Sequence, residues 1–356
     1  MSAGLPDFGS LSKIAVFRAL QLGDLLVAVP ALRALRAAAP RAAITLIGLP
    51  WARSFAERYR AYVDDFIEFP GFPGLPETEP KLAALPGFFA AAQAQRFDLA
   101  LQLHGSGLLT NPLTAAIGAA RNAGYMSVGG WRPDPALFIE WRDDEHEVLR
   151  YLRLLEALGV PRRGEQLEFP LSAKDRAELA AAVPELPGPG RYVCIHPGAR
   201  LPSRRWPAQR FAAVADALAA QGLPVVLTGA GEEAGLAAEV AAAMRAPAIN
   251  AVGRSSLGAL AAMIAGARLL VCNDTGASHV AAAVGTPSVV ISSGADAQRW
   301  APLDRAKHRV LWMDIACRPC AHPVCPIGHP CALGVTVNAV LEQALALCRP
   351  QQADAA

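Results

Sequence analysis

The residues 269–291, LLVCNDTGASHVAAAVGTPSVVI, place Asn273-Asp274-Thr275-Gly276 between an apolar run and a helical pattern that carries His279. A Gly-Thr-Pro turn then leads into a second apolar run at 288–291. The order is strand, polar loop, helix, strand, so the loop falls at the carboxyl end of a parallel strand, where open α/β sheets bind ligands. Free N–H groups and the positive end of the helix dipole suit a phosphate there. Asp and Thr also cap helices, and the segment alone does not choose between the two roles.

Four further groups have chemistry to offer. Gly23-Asp24 follows the first apolar run and opens the first helix. A carboxylate at that edge caps the helix or, given reach, takes a proton from a hydroxyl. Ser203-Arg204-Arg205-Trp206-Pro207 precedes another helix. Its paired guanidinium groups can fork onto a diphosphate or lie solvated, while Trp-Pro reads as a packing anchor and helix start. Thr228-Gly229-Ala230-Gly231-Glu232-Glu233 offers close backbone approach and a carboxylate for ribose hydroxyls. It lacks the third glycine of the dinucleotide fingerprint, which disfavours a nicotinamide dehydrogenase. Cys317, Cys320, Cys325 and Cys331, with His322 and His329 between them, are donor types for a tetrahedral zinc or iron. Such a metal would be structural, because four thiolates close the shell; the alternative is reduced thiols packing a surface loop. His104 ends an apolar strand and either reaches an acceptor or is satisfied by its neighbours, and His146 and His308 carry no surrounding pattern.

The elements that must position these groups alternate. Apolar runs at 13–18, 42–50, 63–70 and 97–107 read as strands, with helices after the first two. Pro30 lies inside the first helical pattern, so that helix starts near it or kinks there. Residues 71–87 are rich in Pro and Gly and read as a surface excursion. After a helix near 145–158 the composition changes at LPGPG (186–190), and the alternation restarts with strands at 191–199 and 224–233. The expectation is an α/β chain with parallel sheets, divided into domains 1–185 and 186–356, the second carrying the Cys-rich loop 317–331.

At 356 residues the chain has room for two such domains. Its net charge of +2 gives neither half the basic excess of a nucleic-acid binder. No apolar stretch reaches the roughly 18 residues that a membrane helix requires, and no secretory signal precedes the first strand. With four of the seven cysteines clustered near the C-terminus and three scattered, this points to a reduced, cytoplasmic setting and not to a disulfide scaffold.

Taken in order, GDLLVAVPALRALRAAAP (23–40), SRRWPAQRFAAVADAL (203–218), LTGAGEE (227–233), NDTGASHVAAAVGTPSVVI (273–291) and CRPCAHPVCPIGHPC (317–331) resemble the ADP-heptose:lipopolysaccharide heptosyltransferases, glycosyltransferase family 9. The resemblance runs through nearly the whole chain. It implies the GT-B fold, two Rossmann-like domains facing a central cleft, with the acceptor held by the first and the nucleotide sugar by the second. It also implies inverting transfer of heptose from ADP-heptose to a lipopolysaccharide core or related lipid-linked glycan, with no metal cofactor needed for the chemistry. Work at the inner face of the membrane, with peripheral contact to it, follows. Asp24 then matches the family's general base. Arg204 stands where the family usually has a Lys on the donor diphosphate. Asp274, Thr275, Gly276 and His279 match the segment holding the phosphates and neighbouring sugar. Thr228 with Glu232 or Glu233 matches the nucleoside contact, and the cysteine cluster recurs in part of the family. The alternatives are a member using another nucleotide sugar or a protein or natural-product acceptor, a UDP-sugar epimerase, and a non-catalytic nucleotide- or metal-binding module.

Overall fold

Residues such as Val193–His196 and Leu269–Asn273 are buried along their whole length. Apolar runs of this kind form strands covered on both faces, the condition of parallel sheets flanked by helices. A computed structural model describes residues 4–349, which divide between Glu165 and Gln166 into two compact units.

The first unit contains β1 (Lys13–Phe17), β2 (Ala43–Gly48), β3 (Asp65–Glu68), β4 (Leu99–Gln102), β5 (Arg121–Met126) and β6 (Phe138–Glu140). Every pairing is parallel, in the order β3-β2-β1-β4-β5-β6. After β1 the chain forms a short helix α1 (Leu22–Leu26) and then α2 (Val29–Ala38). Pro30 lies in the first turn of α2, where its missing N–H costs no hydrogen bond. The proline therefore starts a helix and does not kink one. Helix α3 (Glu147–Ala157) packs against α2 and buries Tyr151, Leu152, Leu154 and Leu155.

The second unit repeats the plan with β7 (Val193–His196), β8 (Val225–Leu227), β9 (Ala248–Asn250), β10 (Leu269–Asn273), β11 (Ser288–Ile291) and β12 (His308–Leu311), in the order β12-β11-β10-β7-β8-β9. All of these pairings are parallel too. The chain divides earlier than the LPGPG segment. Helix α4 (Ala173–Ala182) lies before that segment yet packs against α6 (Leu257–Gly266) of the second unit, Glu178 accepting a hydrogen bond from Ser256 at 2.6 Å. Helix α5 (Ala208–Ala219) buries Phe211, Val214 and Leu218 against this sheet. Helix α7 (Gly276–Val284) ends at Gly285, whose φ of 77° gives the left-handed cap that L side chains resist. Among the described residues no helix is long and apolar enough to cross a membrane.

Candidate active site

Each sheet has one place where the strand order reverses: between β1 and β4 in the first unit, and between β7 and β10 in the second. At such a point the two flanking loops leave in opposite directions and open a crevice at the carboxyl ends of the strands. The loops found there begin at Arg18 and Leu103 in the first unit and at Pro197 and Asp274 in the second.

In the first unit Asp24 lies in the opening turn of α1, its Oδ2 accepting the Gln21 N–H at 3.1 Å. It is thus not the N-cap residue, although its carboxylate bonds back to the N-cap backbone. Behind it lies Arg18, 1% exposed, with Nε donating to the Asp24 carbonyl at 2.7 Å and Nη2 3.9 Å from Oδ1. Arg18 Nη1 donates to the Leu103 carbonyl and to the Tyr151 hydroxyl, which in turn donates to Glu147. Glu147 also accepts from Arg150 at 3.2 Å. Burial pushes the Tyr151 phenol well above its ordinary range, so it stays a neutral donor. His104 accepts the Ala19 N–H on Nδ1 at 3.3 Å, leaves Nε2 3.5 Å from Glu77, and stacks on Phe17. Its neighbours satisfy it.

In the second unit Asn273 joins the two loops. Fully buried at the end of β10, it accepts the Trp206 N–H at 2.9 Å and donates to the Pro197 carbonyl at 2.7 Å. The Trp206 ring fills the core against Phe211 and donates to the Val335 carbonyl, the anchor expected of it. Thr275 caps α7 by accepting the Ala277 N–H at 3.3 Å. The carboxylate of Asp274 turns elsewhere and accepts from Ser292 Oγ at 3.2 Å. Burial raises its pKa, while Ser292, Arg204 and Arg318 pull it back down. Arg204 donates to the Cys320 carbonyl at 3.0 Å, and its buried Nε has no partner among the described residues. The buried Ser293 Oγ likewise has none. His279, 5% exposed, faces Trp300 edge-on. Arg204, Asp274, Thr275, Gly276 and His279 are therefore brought together around the start of α7.

Thr228 and the two glutamates lie on the neighbouring loop. Thr228 is buried, its hydroxyl 3.1 Å from His196 Nδ1. Glu233 folds back to accept the Ala230 N–H at 2.9 Å and lies 3.7 Å from His196 Nε2. Burial lowers the pKa of His196, against the pull of Glu233. A Cβ on residue 198 would lie 1.9 Å from Glu233 Oε1, so Gly198 is what admits this carboxylate to the loop after β7. Glu232 and Glu233 both line a cavity of about 440 Å³ with Arg205, Gln209, Glu239 and His329.

The four clustered cysteines read either as ligands of a structural zinc or iron or as reduced thiols packing a surface loop. Among the described residues no group of three or more His, Cys, Asp or Glu is arranged to hold a metal ion. Cys317 is exposed and Cys331 buried, while the Cys325 thiol accepts the His329 N–H at 3.1 Å. What ties the loop down is its backbone: Ser203 donates to the His322 and Pro323 carbonyls, and Cys320 is bonded through its backbone to Gly294 and Arg204. Sequence reasoning missed Asn273, Ser292 and Arg318. The dense hydrogen bonding of a buried Asn is visible only once the loops are placed, and Arg318 was overshadowed by the thiols around it.

The family model described as Glycosyltransferase family 9 (heptosyltransferase) matches residues 88–330. The chain belongs to this family. A lipooligosaccharide heptosyltransferase 2 of Campylobacter jejuni is 28% identical over 56% of this chain, and the match spans 63% of that relative's length. The crystal structure of a family 9 glycosyl transferase from Veillonella parvula superposes with a TM-score of 0.79 at 25% identity, covering 96% of this chain and 98% of its own. The E. coli ADP-heptose lps heptosyltransferase II gives a TM-score of 0.71 at 23% identity over 94% of this chain and 98% of its own, a likeness of fold. The architecture, two α/β units each with a six-stranded parallel sheet, is the GT-B type of these heptosyltransferases.

Proposed function

We propose that the protein is an inverting heptosyltransferase that moves heptose from ADP-heptose to a lipopolysaccharide core or related lipid-linked glycan. The observation that carries the reading is the half-buried Asp274 just before α7, beside the charges of Arg204 and Arg318, at the strand reversal of the second sheet. Departure of ADP leaves growing negative charge on the diphosphate. A helix N-terminus and a guanidinium with a free donor stabilise that charge from fixed positions. Arg204 has such a donor in its buried Nε. The chemistry then needs no metal cofactor.

In this reading the first unit holds the acceptor, and Asp24 takes the proton from the attacking hydroxyl as the new glycosidic bond forms at the anomeric carbon. The anomeric bond to ADP breaks, the electron pair leaves with the diphosphate, and the configuration inverts. Thr275, Gly276 and His279 meet the phosphates and sugar, Glu232 or Glu233 meets the ribose, and Thr228 supports Glu233 through His196. The lipid-linked acceptor places the enzyme on the cytoplasmic side of its membrane with peripheral contact. The family membership and the E. coli neighbour named for ADP-heptose support the donor.

A second reading, a different nucleotide sugar, is favoured by one observation. Arg204 stands where a Lys is usual, and a planar fork does not hold a diphosphate as a point charge does. Calorimetric titration with ADP, UDP and GDP separates the two. Preference for ADP, followed by heptosyl transfer detected by mass, is the expected result; tighter UDP or GDP binding would move the assignment.

A further inference from the structure

Arg318-Pro319-Cys320, at the start of the Cys-rich loop, touches both sides of the edge assigned above to the donor. Arg318 Nη1 donates to the carbonyls of Ser292 and Ser293, both at 2.8 Å, and to that of Met313 at 3.2 Å. Its Nη2 donates to Ser292 Oγ at 3.1 Å and to the Ala295 carbonyl. Ser292 Oγ in turn donates a hydrogen bond to Asp274 Oδ2 at 3.2 Å. On the other side the Cys320 carbonyl accepts from Arg204.

We infer that Arg318 is a positioning residue of the donor site, fixing Asp274 through Ser292 while the adjoining Cys320 carbonyl fixes Arg204. This deepens the proposed function and rests on its reading of that edge. The loop 292–295 follows β11 and is almost wholly buried at Ser292, Ser293 and Ala295. Its carbonyls must find donors within the protein. A guanidinium offers five N–H groups in a rigid fork and can serve several carbonyls and a hydroxyl at once, which an ammonium on a flexible stem cannot. Gly294 completes the fit, because a Cβ there would lie 2.8 Å from Cys320 Cβ and 3.4 Å from Arg204 Nε. With both Nη groups engaged, Arg318 acts through Asp274 and not on the phosphates. The Cys-rich loop thus sets the geometry of the diphosphate clamp through its backbone and one arginine, whatever its thiols do.

The test measures ADP affinity by calorimetry and separate KM values for ADP-heptose and acceptor in wild type, Arg318→Gln, Arg318→Lys, Ser292→Ala and the double variant Arg318→Gln/Ser292→Ala. Losing a hydrogen bond to a charged group predicts about a tenfold loss of ADP affinity in Arg318→Gln, with a matching rise in donor KM and an unchanged acceptor KM. Lys should restore little, since it keeps the charge without the fork. The double variant should be no worse than the worse single one, because both break the same relay. If Arg318→Gln does not fold, Ser292→Ala alone decides the matter. Folded variants that bind ADP within about twofold of wild type, or that raise both KM values together, overturn the inference. A wild type that binds no adenine nucleotide overturns the donor-site reading instead, and this inference with it.

Discussion

Arg18 and Asp24 are joined twice, by a 2.7 Å hydrogen bond from Nε to the Asp24 carbonyl and by a 3.9 Å approach of Nη2 to its carboxylate. The first contact fixes the backbone at the opening of α1 and the second orients the side chain. Arg18, Glu147 and Arg150 are buried, and only the Asp24 side chain, 23% exposed, reaches water. The set holds two charges of each sign. A carboxylate anchored from behind and open in front is what proton abstraction by reach demands.

Replacing Asp24 by Asn keeps the shape and removes the carboxylate proposed as the base. Transfer should fall by about 10²-fold or more, while ADP affinity, measured by calorimetry, stays within about twofold of wild type.

Replacing Arg18 by Met leaves Asp24 without its cation and takes a donor from Tyr151 and from the Leu103 carbonyl. Breaking one member of a buried ion set costs about 3–5 kcal/mol. Urea denaturation should show a loss of that order, and residual activity should fall alongside it. A variant as stable as wild type would mean that the set contributes little to the fold.

Gly198→Ala probes the glutamate pair without touching a charge. The new methyl group must evict the Glu233 carboxylate, which lies 1.9 Å from its ideal position. Ala230 N–H and His196 then lose their partner, at a cost of about 1–3 kcal/mol. The denaturation midpoint should drop, and ADP affinity should drop with it if Glu233 meets the ribose. Unchanged affinity would assign that contact to Glu232.

His308 predicts an acid-sensitive stability. It is 3% exposed, its Nδ1 2.9 Å from Ser288 Oγ, and burial lowers its pKa from 6.5 to about 4. Between those values the unfolded chain binds the proton and the folded one does not, so stability rises with pH across the window and is lost on acidification. The shift corresponds to roughly 3 kcal/mol. His196, also lowered by burial, acts in the same direction. Denaturation midpoints of wild type and His308→Gln between pH 7 and 4 should diverge, the variant showing the shallower slope.

The parts of the fold that could be read from the sequence are those where burial is complete. β7 and β10 are apolar up to their last residues, His196 and Asn273, and announce themselves, whereas β9 (AIN) and β5 (RNAGYM) are short or polar and carry no such signal. The domain division was placed at LPGPG because composition changes there, but α4 belongs with α6 through contacts that no local pattern encodes. At the candidate site, Asp24, Arg204 and Asp274 were legible from their positions after strands. Which of Asp274 and Thr275 caps the helix was not, since both residue types can do so, and the structure gives that task to Thr275. The loop 317–331 drew attention for its thiols, while its connection to Asp274 runs through Arg318 and Ser292. That link spans residues too distant in sequence for spacing to reveal.

The most direct measurement incubates purified wild type and Asp24→Asn with ADP-heptose and a lipid-linked core acceptor, following the acceptor by mass spectrometry and ADP release in parallel. The account predicts one added heptosyl residue with stoichiometric ADP from wild type, and neither from the variant although it still binds ADP. Acceptor extension by the Asp24→Asn protein at the wild-type rate would contradict it.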